Sequence, residues 1–197
     1  MKYQFDEEKA TQASAYLLKK YGGNLNYMKL IKMLYIANRK SIVECGEPIV
    51  PDLFVSMKQG PVLSGLLDKI NYACPETTYS YWSEFLGVAS AYTLHLKKNP
   101  GFGKLSRRAL RILDEVDLEW HEKSQFDIVK WTHDSDNIPE WTDPGDSSYP
   151  ICLEKLFSVL GKTQEETSFL IREEKEYQKE SEFFDAQSRR ARESIPC

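Results

Sequence analysis

The side chains able to do chemistry in this chain are few, and most stand alone. Of its 3 histidines, His133 has the most suggestive neighbourhood: Trp131-Thr132-His133-Asp134-Ser135-Asp136 sets an imidazole beside two carboxylates, the raw material of an acid–base pair or a metal site. His121 is followed by Glu122 but not by the second histidine of a zinc-protease H-E-x-x-H helix. A metal-dependent hydrolase would therefore need His121, His133 and distant acids to converge, and a structural role for His133, bridging a helix end to a loop, is the better reading. The four cysteines, Cys45, Cys74, Cys152 and Cys197, form no C-x-x-C pair and have no histidine at ligand spacing, so they read as reduced cytoplasmic thiols. No G-x-S-x-G elbow is present. Residues 60–65 lack the Lys-Ser/Thr ending of a phosphate loop, and residues 101–104 are too short for one. The expectation is a protein without catalytic residues, cofactor or metal.

A stronger pattern is electrostatic. The 197-residue chain has 26 Lys and Arg against 30 Asp and Glu, a net charge of −4, too acidic for a coat on nucleic acid. That sum hides a division. Residues 9–43 contain seven basic side chains and no acidic one, which leaves −11 for the rest, and five acids with no base lie between residues 134 and 146. Within the basic stretch Lys29, Lys32 and Lys40 fall near one line of a helix, a line suited to phosphates, to an acidic protein partner or to the chain's own acidic loop. A DNA-binding autorepressor is the weaker alternative, because no recognition helix with exposed Arg, Asn or Gln accompanies the line. No apolar run is long enough to span a membrane, and the start MKYQFDEEKA lacks the apolar core of a secretory leader, so the expected location is the cytoplasm.

Mostly helical elements must position these residues. Asp6 can cap a first helix in which Ala10, Ala13, Leu17 and Tyr21 recur at helical spacing before Gly22-Gly23 ends it. Asn26 caps a second helix, apolar on nearly every side, as expected of a central buried one. Pro48 and Pro51 imply an extended loop, and residues 54–57 a brief strand or turn. Gly60-Pro61 is expected to open a third helix, since proline is tolerated in a first turn, with Val62, Leu66 and Ile70 along one face. Residues 79–82 and 92–96 carry β-favouring side chains and suggest a hairpin or three-stranded patch, followed by a turn at Asn99-Pro100-Gly101. Ser106 and Ser124 read as caps of two further helices, the second with Asp127 completing a capping box, and residues 151–160 as a short helix after a loop rich in Asp, Pro and Gly.

From Thr163 the texture changes. Thr163 and Glu166 form a capping box for one long polar helix of ~45 Å, and residues 163–193 hold nine acids and six bases. Leu170, Tyr177 and Phe184 recur every seven residues, with Phe169 and Phe183 beside them, a stripe that covers one groove at most. Either the chain's own domain or a groove on a partner fits it. The fold class is thus mainly α, an α+β domain over residues 1–160 built around a buried helix with a small β element, plus a charged helical extension over residues 161–197.

Three ordered motifs carry a family resemblance. Lys29-Leu30-Ile31-Lys32-Met33-Leu34-Tyr35 resembles the K-L-x-K-L-L-Y helix of the Panacea, or SocA-like antitoxin, domain. Residues 52–62, ending in Gly60-Pro61-Val62, look like that family's aromatic-containing segment before G-P-V. Leu105-Ser106, Thr132-His133 and Pro139-Glu140-Trp141 are similar to its L-S … T-H … P-W ending. The chain departs from the pattern at Ser56 and Met57, where a tryptophan usually stands, and at Glu140, which separates Pro139 from Trp141. The resemblance covers residues 10–145. It implies a non-catalytic antitoxin, of a kind found in prophages and mobile elements, that neutralises a co-encoded toxin by direct binding. It implies that Leu30, Leu34 and Tyr35 are core, that Gly60-Pro61 sets a helix start and that His133 with Trp141 pins the last loop. The candidate contacts for a protein partner are Lys29, Lys32 and Lys40 on the second helix and Leu170, Tyr177 and Phe184 on the arm.

Overall fold

The structure, a computed structural model, describes residues 2–71, 80–90 and 92–193. Helix α1 (Glu7–Lys20) starts where Asp6 accepts the Lys9 N–H at 2.9 Å, and a short strand β1 (Asn24–Asn26) follows it. Helix α2 (Tyr27–Cys45) begins where Asn26 Oδ1 accepts the N–H groups of Met28 and Lys29, and it ends at Gly46, whose φ of 82° lies in the left-handed region that glycine favours. Leu30, Ile31, Met33, Leu34, Tyr35 and Ala37 of α2 are fully buried. Burying a large apolar side chain contributes about 1.5–3 kcal/mol, so this helix is the centre of the core. The buried Asn38 side chain exchanges hydrogen bonds with the Val50 backbone, holding the segment after α2 against the helix.

Strands β2 (Phe54–Met57) and β3 (Gly60–Leu63) form an antiparallel hairpin paired from Phe54–Leu63 to Met57–Gly60. This corrects the expected helix start at Gly60-Pro61. Gly60, at φ 85°, leaves the two-residue turn of Lys58 and Gln59. Pro61, on an edge strand, removes no ladder bond that the sheet needs. Helix α3 (Ser64–Asn71) begins only after the strand, and its first turn is capped by a distant residue: the Asp52 carboxylate accepts the N–H groups of Gly65 and Leu66, both at 2.9 Å. Burial raises the Asp52 pKa to about 6, and the N–H groups donated to it oppose that rise.

A capping box between Ser80 and Ser83 starts helix α4 (Tyr81–Phe85), so Tyr81 and Trp82 are helical where β structure was expected; Tyr79 lies outside the described residues, as do Cys74 and Cys197. Strands β4 (Leu86–Ser90) and β5 (Thr93–Leu96) then form a sheet with β1, in the order β1-β5-β4. Ser106 Oγ accepts the Ala109 N–H to start α5 (Arg107–Trp120), and the Ser124–Asp127 box starts α6 (Gln125–Thr132). Strand β6 (Ser148–Pro150) adds to β2, and α7 (Leu153–Val159) buries Leu153, Leu156 and Phe157.

Helix α8 (Gln164–Glu193) opens with the expected box: Thr163 N–H to Glu166 Oε2 at 2.7 Å and Glu166 N–H to Thr163 Oγ1 at 3.1 Å. Leu170 and Ile171 pack on the core, and the Gln178 amide donates to the Lys2 carbonyl at 2.7 Å. Tyr177, Phe183 and Phe184 stand in solvent. Among the described residues the fold is mainly α with two three-stranded antiparallel sheets. Among the described residues no helix is long and apolar enough to cross a membrane.

Candidate functional site

The three lysines expected to share one outward line part ways. Lys40 lies at the surface, ion-paired with Glu119 at 3.2 Å. Lys29 turns inward, and its Nζ donates to the carbonyl oxygens of His121 at 2.8 Å and Lys123 at 2.7 Å, just past the C-terminus of α5. A cation there complements the negative end of the helix. The Tyr21 ring lies 4.7 Å from the same amine. Burial lowers the Lys29 pKa, opposed by Asp117 and Glu122. Lys32 is fully buried, donates to the Pro61 carbonyl at 2.8 Å, and is lowered by burial to a pKa of about 7. The contact line is therefore corrected. On a helix apolar on nearly every side only Lys40 of the three stays at the surface, and the other two reach instead for carbonyls of neighbouring elements. The nucleic-acid alternative loses the surface it rested on.

The motif residues converge on the β2–β3 turn. The His133 ring nitrogens lie 2.7 Å from the Val129 carbonyl oxygen (Nδ1) and 2.9 Å from that of Lys58 (Nε2). The ring meets Trp141 edge-on at 4.8 Å, and Trp141 Nε1 donates to the Met57 carbonyl at 3.0 Å. Beneath the turn, a carbon added at Gly60 would come within 2.9 Å of both Lys32 Nζ and Thr132 Oγ1. Glu140, the residue that interrupts the family's last motif, is buried. Its carboxylate accepts the Tyr35 hydroxyl at 2.8 Å and pairs with Arg39 Nε at 2.9 Å, while Arg39 also donates to the Asn137 carbonyl. His133 thus fastens the β2–β3 turn to the end of α6, Trp141 fastens it to the last loop, and Glu140 ties that loop to α2.

The histidines do not assemble. His95 lies on β5, His133 at the end of α6, and His121 at the end of α5, stacked on Tyr21 at 4.6 Å with its Nδ1 3.1 Å from Asp117. Among the described residues no group of three or more His, Cys, Asp or Glu side chains is placed to hold a metal ion. In the acidic loop Asp134 and Asp136 are exposed, and Asp146 pairs with Lys58 at the surface.

A groove of about 660 Å³ runs between α8 and the body. Tyr3, Phe5 and Pro48 make one wall, and Phe169, Leu170 and Tyr177 make the other. Leu170 is seated on Gly46, where an added carbon would meet it at 2.6 Å. Glu47, Glu173 and Glu174 also line the groove, and Lys9 is the one cation among the lining residues described. Partial burial raises the Glu174 pKa, opposed by the Gln178 amide that donates to it at 2.6 Å. The buried Tyr3 phenol is pushed well above its ordinary pKa by desolvation first and then by the negative charges of Glu174 and Glu47. Of the arm's expected stripe, Leu170 is half-buried on the body, Tyr177 overhangs the groove, and Phe184 is exposed beyond it. The sequence signals only the α8 wall, through its seven-residue repeat; Tyr3, Phe5, Glu47 and Pro48 carry no pattern that announces the other.

No curated protein and no solved structure matches the chain. The family described as antitoxin SocA-like, Panacea domain, matches residues 30–141, a span that runs from the buried face of α2 through the hairpin to Trp141. That span is more than half of the 197 residues and contains Lys32, Gly60, His133 and Trp141, the residues that lock the hairpin, and the chain belongs to the SocA-like antitoxin, Panacea domain, family.

Proposed function

We propose that this protein is an antitoxin that silences a toxin by binding it directly, without chemistry of its own. The observation that carries the reading is the family match over residues 30–141. The inner side of the site supports it: Lys29, Lys32, His133, Glu140 and Trp141 are each engaged with carbonyls, a hydroxyl or a guanidinium of the same chain, as scaffold residues are. The outer side supports it too. A stable complex covers about 800 Å² per partner around a few aromatic anchors, and Phe169, Tyr177, Phe183 and Phe184 stand exposed along one helix. A cytoplasmic location and carriage on a prophage or mobile element belong to the same reading.

The test is genetic and biochemical. The product of the neighbouring gene is expressed alone, then together with this chain, and the pair is purified. Growth arrest by the neighbour alone, rescue on co-expression and a stoichiometric complex are expected. A harmless neighbour, or rescue with no complex formed, would overturn the reading.

A further inference from the structure

The groove between α8 and the body has the properties of an interface awaiting its other half. Its volume of about 660 Å³ falls within the ~300–1,000 Å³ of ordinary binding clefts. Phe169 and Tyr177, on its α8 wall, are 50% and 66% exposed, and large apolar rings left in water around a concavity are typical of surfaces that another molecule covers. The helix is attached to the body at Leu170 on Gly46 and again where Gln178 reaches Lys2.

Charge says what kind of occupant fits. Glu7, at one edge, is neutralised by Lys69 at 2.8 Å. Glu47, Glu173 and Glu174 have no ion pair among the described residues, and Lys9 is the one cation among the lining residues described. Phosphates are repelled by such a surface. A second copy of the chain is poorly suited through its own basic stretch. Lys29 and Lys32 turn inward, Lys20, Arg39 and Lys40 are ion-paired, and of the rest only Lys9 and Lys19 have no ion pair among the described residues, too few to meet three carboxylates.

We propose that this groove is the toxin-docking site and that it takes an extended toxin segment presenting an apolar side chain flanked by Lys or Arg. The apolar side chain lies between Phe5 and Tyr177, and the flanking cations meet Glu47 on one side and Glu173 and Glu174 on the other. The proposal rests on the antitoxin reading, and its test separates the two. The full chain carrying p-benzoylphenylalanine in place of Tyr177 is mixed with the purified product of the neighbouring gene and irradiated, and the cross-link is mapped. In parallel, the triple variant Glu47→Lys, Glu173→Lys, Glu174→Lys and a control reversal in the acidic loop, Asp134→Lys with Asp136→Lys, are titrated with the same protein by calorimetry. The expected results are a cross-link to an apolar stretch beside Lys or Arg, at least tenfold weaker binding with a flatter salt dependence for the triple variant, and a change within twofold for the control. If the triple variant does not fold, Glu173→Gln with Glu174→Gln replaces it, with at least threefold weakening expected. Undiminished binding by the groove variants, a cross-link to an acidic segment or a cross-link to a second copy of this chain overturns the groove and leaves the antitoxin reading in place. Failure of the unmodified chain to bind overturns both.

Discussion

Charged groups in the body and on α8 are handled in opposite ways. Beneath the hairpin, Lys32 and Glu140 are buried, and each meets a defined partner: a carbonyl for one, a hydroxyl and a guanidinium for the other. Along α8, Glu173 and Glu174 border a groove and have no ion pair among the described residues, beside aromatic rings left in solvent. Buried interactions are little screened by salt, whereas exposed ones fade over a Debye length of about 8 Å at physiological ionic strength. The body therefore uses charge to fix one arrangement of its own elements, and Glu173 and Glu174 on the arm are not used that way.

The largest expected effect breaks the body's side of that contrast. Glu140→Ala strands Arg39 and the Tyr35 hydroxyl without their partner and is expected to cost about 3–5 kcal/mol, read as a lower midpoint in urea unfolding. A variant within 1 kcal/mol of the parent would mean that the triad is not holding the last loop.

The pH dependence comes next. Lys32 has a folded pKa of about 7, below its ordinary 10.5, so between those values the unfolded chain holds a proton that the folded chain has released. Stability is expected to rise with pH across that window, by up to about 1.4 kcal/mol per pH unit from this group. Asp52 acts in the other direction: its folded pKa of about 6 lies above its ordinary 3.8, so its contribution is full below pH 3.8 and lost as pH rises to 6. Urea midpoints between pH 4 and 9 should pass through a minimum in the contribution of this pair between about 6 and 7. Lys32→Met should remove the rising limb and Asp52→Asn the falling one.

A pair of glycines sharpens the contrast further. Gly60 and Gly161 both have left-handed backbones, at φ 85° and 80°, but an added carbon at Gly161 meets open space while one at Gly60 meets Lys32 and Thr132. Alanine at either position costs about 1–3 kcal/mol of backbone strain, and thermal unfolding should show Gly60→Ala as the more damaging of the two. The smallest effect lies on the arm. Phe184→Ser and Tyr177→Ser should leave unfolding within about 0.5 kcal/mol of the parent, while Tyr177→Ser, at the groove, should weaken the complex with the neighbouring gene's product.

What was legible in the sequence divides along the range of the interactions. Helix starts at Asp6, Asn26, Ser106, Ser124 and Thr163 depend on hydrogen bonds spanning two or three residues, and residue types alone announce them. Gly60-Pro61 misleads because a local preference for a helix start competes with pairing between Val55 and Val62, which no local pattern encodes. Residues 81–85 form a helix because Ser83 completes a box usually closed by Glu or Gln. Strand β6 escapes notice for the first reason, being three exposed residues whose partner lies on distant β2. The lysine spacing gives a shared line but not its direction, and on a helix enclosed by other elements Lys29 and Lys32 turn into the protein while Lys40 stays at the surface. The groove is legible by half, since only its α8 wall has a period.

The seat of Leu170 on Gly46 has a consequence for modularity. Leu170 sits this close because position 46 carries no side chain: an added carbon would come within 2.6 Å of the end of the leucine, while Ile171 packs on the core beside it. The outer aromatic residue Phe184 is about 21 Å farther along the helix and makes no part of that joint. Substitutions in the outer half of the helix can therefore alter what the arm presents without loosening its socket. The joint separates the part of the molecule that must stay fixed to fold from the part that is free to vary in what it meets.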